Sequence, residues 1–157
     1  MNIDLIVVGK TDMREIGCLL EMYAKRISFY TCFSVIVQPD IRNNRNLSHS
    51  QQRTAEGEAL LRRIGTGDFL VLLDERGEEL RSEEFAAWLQ KRMAGGTRRI
   101  VFAIGGPYGF SDAVYERADF VLSLSRMTFS HQIVRAIFAE QLYRAFTILR
   151  NEPYHHG

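Results

Sequence analysis

Little in this 157-residue chain offers covalent or metal chemistry: it has two cysteines, Cys18 and Cys32, and four histidines. The cysteines sit among apolar residues with no CxxC or Cys/His ligand spacing, so they are expected as reduced, packed thiols, and no metal site is expected. Net charge is nearly absent as well. Twenty Lys and Arg against 19 Asp and Glu leave +1, so any nucleic-acid contact must come from a local patch rather than a global field. No apolar run approaches membrane-spanning length, and the opening Ile3-Asp4-Leu5-Ile6-Val7-Val8 is too short and wrongly flanked for a secretory signal. Internal repeats, low-complexity tracts and interdomain linkers are also missing. The expectation is one cytoplasmic domain spanning residues 1–157, long enough to bury about two-thirds of the surface its unfolded chain exposes.

What the chain has is strand-helix alternation. Ile3 to Val8, Ser34 to Val37, Phe69 to Leu73, Ile100 to Ile104 and Phe120 to Leu124 are short, mostly continuous apolar runs, as expected of strands buried on both faces. Helical patterns lie between them over Asp12 to Ile27, Ser50 to Ile64, Ser82 to Met93, Ser111 to Arg117 and His131 to Leu149. The fold class is therefore α/β, a doubly wound parallel sheet flanked by helices. Ser82 with Glu83 and Glu84 reads as a capped helix start, and Gly95-Gly96 and Gly65 with Gly67 as helix ends. Pro39 to Ser48 reads as a surface loop. The last helix is apolar on more than one face, with Val134, Ile137, Phe138, Leu142, Ala145, Phe146 and Leu149 in one stripe and Ile133, Ala136, Tyr143 and Ile148 beyond it. It needs two partners, either a deep core or the sheet and a second subunit, and the latter is the reading preferred here.

Special chemistry gathers in the last third. Glycines directly after a strand, in Ile104-Gly105-Gly106-Pro107-Tyr108-Gly109-Phe110, suggest close backbone approach of a ligand at the carboxyl end of the sheet. The pattern is not GxGxxG and Pro107 has no N–H for a phosphate, which disfavours a dinucleotide-binding oxidoreductase and leaves a plain tight turn as the simpler alternative. Leu124-Ser125-Arg126-Met127-Thr128-Phe129, leading to a helix whose expected N-cap is Ser130, combines backbone hydrogen-bonding groups with apolar walls and suits an adenosine. The same Met127 and Phe129 would serve equally as core. Asp74-Glu75-Arg76-Gly77 after the middle strand reads as a ribose-holding group or an acid-capped turn. Tyr154, His155 and His156, following Pro153, suggest a docked tail whose imidazoles exchange protons or meet phosphate.

Ile104-Gly105-Gly106-x-x-Gly109, Leu122-Ser123-x-Ser125-x-Met127-Thr128-x-x-His131-Gln132, Glu140-Gln141-x-Tyr143-Arg144-Ala145 and Pro153-Tyr154-His155 closely resemble the ribosomal RNA large subunit methyltransferase H family. The resemblance extends from Ile6-Val7-Val8-Gly9-Lys10 through Leu72-Leu73-Asp74 to the tail. It implies a SPOUT fold, an α/β sheet with a C-terminal trefoil knot that no periodicity would reveal. It implies transfer of a methyl group from S-adenosylmethionine to N3 of a pseudouridine in large-subunit ribosomal RNA, on the assembled ribosome, by a homodimer. Carried over by position, Leu73, Gly105 and Leu124, Ser125, Arg126, Met127, Thr128 and Phe129 would bind the cofactor, and Tyr154 and His155 would reach the substrate across the dimer. The sequence departs from the family's pattern at His156, where many relatives have a basic residue, and in Pro107-Tyr108, where the change is expected to be neutral.

Such a reaction needs in-line positioning and removal of the N3 proton, without covalent nucleophile or metal. His155, a nearby carboxylate or water is the expected acceptor. Arg42, Arg45, Arg126, Arg135 and Arg144 are candidate RNA contacts, with an ion pair to Glu140 the alternative for Arg144. A non-enzymatic ribosome-binding factor is the competing function, and it would bind no S-adenosylmethionine.

Overall fold

The apolar runs fold as β1 (Asn2–Val8), β2 (Cys32–Gln38), β3 (Phe69–Glu79), β4 (Arg99–Ile104) and β5 (Phe120–Ser123), alternating with α1 (Arg14–Ile27), α2 (His49–Leu61), α3 (Ser82–Ala94), α4 (Asp112–Arg117) and α5 (Ile133–Leu149). The computed structural model describes residues 1–41 and 44–157. All strand pairings are parallel, in the order β2-β1-β4-β3-β5. The continuous apolarity of the central strands follows from burial on both sides. Ile3, Leu5, Val7 and Phe102 pack with α1, α3 and α5, while Ile6, Leu70, Leu72 and Val101 pack with Leu60 of α2 and Val114 of α4.

Three local expectations are corrected. Arg81, not Ser82, flanks the start of α3, its N–H donating to Glu84 at 2.7 Å, while the Ser82 hydroxyl meets Gln141 on α5. Helix α2 ends at Leu61, before the Gly65–Gly67 turn. Cys18 and Cys32 are free but exposed, because the outer face of α1 and the first residue of the edge strand β2 carry them.

Helix α5 lies between α1 and α3, its Phe138 and Phe146 against Phe102 and Tyr30. One apolar face, with Phe138, Leu142, Ala145 and Phe146, is thus buried within the chain, while Ile133, Ile137, Tyr143 and Ile148 stay half-buried. At its end Asn151 takes φ 54, and the tail doubles back along α5. The Glu152 N–H donates to the Thr147 carbonyl, and the Tyr154 hydroxyl reaches Glu140.

Two departures from a plain doubly wound sheet shape the carboxyl end. Strand β3 does not stop at Leu73: residues 74–77 leave the ladder, and Glu78 then pairs with Leu122, the residue Leu73 already opposes. Residues 124–132 run from the edge strand β5 across the ends of β3 and β4 to the end of β1. There Gln132 accepts from the Asp12 N–H at 2.8 Å and donates to the Lys10 carbonyl at 3.1 Å.

Candidate active site

This crossing segment closes a cavity of about 740 Å³ against the ends of β3 and β4. Leu73 and residues 74–76 form one wall, the turn 104–110 another, and Leu124, Ser125 and 127–131 the third. Seven of the eight cofactor residues taken from the resemblance, Leu73, Gly105, Leu124, Ser125, Met127, Thr128 and Phe129, line one cavity. Arg126 is not among its lining residues. Its side chain is 87% exposed and pairs with Glu79 at 2.8 Å.

The glycine turn is shaped by local bonds. Gly109 donates to the Gly106 carbonyl at 3.1 Å and takes φ +81, a conformation that favours glycine. A Cβ on Gly105 would lie 3.2 Å from the Gly109 backbone, so a side chain there must displace the turn or enter the cleft. The opposite loop is held by the Ser123 hydroxyl on the Ser125 carbonyl, the Met127 N–H on Ser125 Oγ, and the Thr128 hydroxyl on Glu75. Ser130 does not occupy the N-cap of α5. Its Oγ accepts from the Ile133 N–H at 3.1 Å, one turn ahead of the helix proper.

Asp74 is fixed beneath the cleft by the Tyr115 hydroxyl and by Arg76, whose Nη2 is 2.7 Å from that hydroxyl. Burial raises its pKa, but the Tyr115 bond, the Arg76 N–H and the Arg76 charge together hold it below the ordinary carboxylate value. Asp74 therefore stays ionised and anchored.

Glu56 was missed. It stands behind Gly106, where a Cβ would lie 2.6 Å from its Oε2, and it is 5% exposed. The carboxylate position falls on the face of α2 that carries Leu60, and a charge at that helical spacing is the signal that would have found it. Burial is the main cause that lifts its pKa above 4.5, aided by Asp40 and opposed by a hydrogen bond from Gln52. A raised acid binds its proton more tightly folded than unfolded, so its cost to stability sets in as pH rises from the unfolded value through the folded one. Glu56→Gln is expected to raise the melting temperature at pH 7–8, with the gain vanishing below about pH 4.5. Thermal denaturation across pH tests this, and an equal gain at pH 4 would contradict it.

Tyr154 and His155 are not in the cavity lining. Arg144 Nη1 lies 3.1 Å from His155 Nδ1 and Glu83 Oε1 3.0 Å from Nε2. Because a guanidinium only donates, Nδ1 must accept, and the neutral ring carries its proton on Nε2. Its lone pair is thus occupied. Glu83, held by that His155 bond, titrates below its ordinary value. Arg144 is bonded to Glu140 at 2.6 Å and lies over the Tyr154 ring, the ion-pair alternative of the sequence reading.

Arg135 is not available to RNA. It is fully buried, with Nε on the His131 carbonyl, Nη1 on the Gly9 carbonyl and Thr11 hydroxyl, and Nη2 on the Val8 carbonyl, at 2.8–3.1 Å. Arg45 is exposed in a short 3-10 turn, Asn44–Asn46. Arg42 lies outside the described residues. No helix among the described residues is long and apolar enough to cross a membrane.

A cleft at the carboxyl ends of a parallel sheet, walled by a glycine turn and a polar-apolar loop, has the position of a ligand site in an open α/β protein. A profile of the family described as "Predicted SPOUT methyltransferase" matches residues 1–155. The chain belongs to the SPOUT methyltransferase family. Curated relatives named "Ribosomal RNA large subunit methyltransferase H" include those of Christiangramia forsetii (53% identical), Flavobacterium johnsoniae (54%) and Porphyromonas gingivalis (56%). Each match extends over 156 residues and 99% of both chains. The α/β fold with its C-terminal knot is the one expected of the family.

Proposed function

We propose that this enzyme methylates N3 of a pseudouridine in large-subunit ribosomal RNA with S-adenosylmethionine as donor, acting as a cytoplasmic homodimer on the assembled ribosome. One observation carries the reading: residues distant in sequence, Leu73, Gly105, Leu124, Ser125 and Met127 to Phe129, converge on a single cavity of about 740 Å³. Its size suits a nucleoside with a side chain, its apolar walls suit a purine, and the tight Gly105 turn allows close approach. When bound, the donor supplies an electrophilic methyl carbon on a sulfonium. The protein's part is to align the acceptor nitrogen, exclude water and take up its proton.

His155 as proton acceptor requires the Arg144 contact to open, because its lone pair is engaged. Within one chain the tail is also apart from the cleft, so a role for Tyr154 and His155 at the reaction centre requires the tail of a second subunit. Glu75, exposed on the cleft wall, is the nearby carboxylate left to accept a proton if Thr128 releases it. Arg45 and Arg126, both exposed, remain the candidate phosphate contacts.

Calorimetry with S-adenosylmethionine is expected to give saturable binding that Gly105→Arg abolishes. No binding by the wild type would favour the non-enzymatic ribosome-binding reading. Methylation of ribosomes lacking the modification, with the product base mapped, tests the acceptor. His155→Ala is expected to lower turnover while donor affinity holds, and full activity would leave the tail a docking role. Because the net charge is +1, ribosomes are expected to be methylated far better than the naked RNA, and equal rates would contradict a ribosome-scale substrate.

A further inference from the structure

The tip of the glycine turn carries Tyr108, whose ring stacks on His49 with centroids 3.8 Å apart and planes 16° from parallel. His49 opens α2 and is itself exposed. Tyr108 still leaves 38% of its surface in solvent. His49 covers one ring face, and Tyr108, still exposed, lines the cleft. The backbone beneath it is fixed too: Arg53, one turn along α2, reaches the Tyr108 carbonyl at 3.5 Å and lines the same cleft. An exposed aromatic residue at a loop tip is ordinarily free to reorient. Here a second ring and a guanidinium hold it in place, so little ordering is left to a ligand that binds it.

We propose that Tyr108, backed by His49, is a stacking platform for an unpaired base of the ribosomal RNA substrate at the entrance to the donor cleft. This rests on the methyltransferase reading above. Chemistry on a base requires that base to leave its stack, and an extruded or loop base regains the lost stacking on an aromatic side chain. Charge complementarity favours RNA over an apolar partner, since the Arg53 guanidinium reaches the Tyr108 carbonyl and lines the same cleft. A chain with net charge +1 also draws less of its affinity from phosphate attraction, which raises the share left to stacking. Variation at Tyr108, expected to be neutral from sequence, gains a consequence from its stacked position.

The test is steady-state methylation of unmodified ribosomes by Tyr108→Ala, Tyr108→Phe and His49→Ala, with donor affinity measured separately by calorimetry. Tyr108→Ala is expected to lower kcat/KM for ribosomes by about five- to hundredfold, as loss of one stacked base would, with donor Kd within twofold of wild type. Tyr108→Phe restores most of the loss, because the ring and not the hydroxyl is used, and His49→Ala produces a smaller loss through KM. The proposal is overturned if Tyr108→Ala keeps kcat/KM within twofold, or if donor affinity falls in proportion, which would make Tyr108 a donor contact. A wild-type protein that neither binds donor nor methylates ribosomes would overturn the functional reading instead, so the two failures are distinguishable. Thermal denaturation of each variant separates a folding defect from a lost contact.

Discussion

Arg135→Met is expected to lose about 3–5 kcal/mol of stability, the cost of leaving buried partners of a charged group unpaired. At this chain length that corresponds to a fall in melting temperature of roughly 10 °C. The guanidinium satisfies three carbonyls and one hydroxyl: Val8 and Gly9 at the end of β1, in buried bonds, and His131 one turn earlier and Thr11, in part-buried ones. Burial pulls its pKa below the ordinary value, with Asp12 and Asp40 opposing that pull, yet no carboxylate is hydrogen-bonded to it. Removing the charge saves some desolvation, but several orphaned acceptors outweigh the saving. Lysine repairs little, since one ammonium cannot span carbonyls that the planar fork reaches together. The effect also has an address. Arg135 ties the crossing segment to β1 through His131, so donor binding is expected to weaken in Arg135→Lys even at temperatures where the protein stays folded. Calorimetry on the folded variant measures this, and unchanged melting in Arg135→Met would show that water replaces the guanidinium.

Arg135 also marks where reading the sequence reached its limit. The five strands were legible because both faces of β1, β3 and β4 are covered, which makes their apolar runs continuous. An arginine just after a polar loop, in contrast, has the local pattern of a surface cation. Its burial is decided by carbonyls some 125 residues away that only the crossing segment brings to it. The same holds for Glu56, which becomes special only when the glycine turn lies on it. Cys18 was read as packed because Leu19, Leu20 and Met22 surround it in sequence, yet only Leu20 of that group turns inward. For the cleft, the Gly105 turn and the 124–129 loop were legible as ligand-binding segments by position after strands. That they face one another across Leu73 was not, since the helix spacing says nothing of a chain recrossing its own sheet. Arg126 failed for a simpler reason: a loop has no side-chain period to say which residue faces the cleft, and Glu79 pairs with it outside the cavity.

Gly77→Ala is expected to be the most damaging single-methyl substitution near the cleft, costing about 2–3 kcal/mol as overpacking against unyielding atoms. A Cβ there would lie 2.6 Å from the Val121 carbonyl oxygen, 2.7 Å from its carbon and 2.9 Å from the Leu122 carbonyl carbon. All three belong to the backbone of β5, so no rotamer change relieves the contact. Gly77 does not have a positive φ, so the penalty comes from space alone. Gly67 is the matching control: nothing lies within 4 Å of its Cβ position and its φ is not positive either. Gly67→Ala is therefore expected to be neutral or to add about 0.4–1 kcal/mol by restricting the unfolded chain. The clash at Gly77 can be relieved only by moving β5 or by pushing residues 74–77 outward. Either movement displaces a cleft wall, because Asp74, Glu75 and Arg76 line it and the Leu124 loop follows directly from β5. Donor affinity in Gly77→Ala should accordingly fall at temperatures well below its unfolding transition, by a factor that Gly67→Ala does not show. Equal donor affinity in the two variants would mean that the excursion of β3 absorbs the methyl group without moving the cleft, and that Asp74 to Gly77 serve the sheet and not the site.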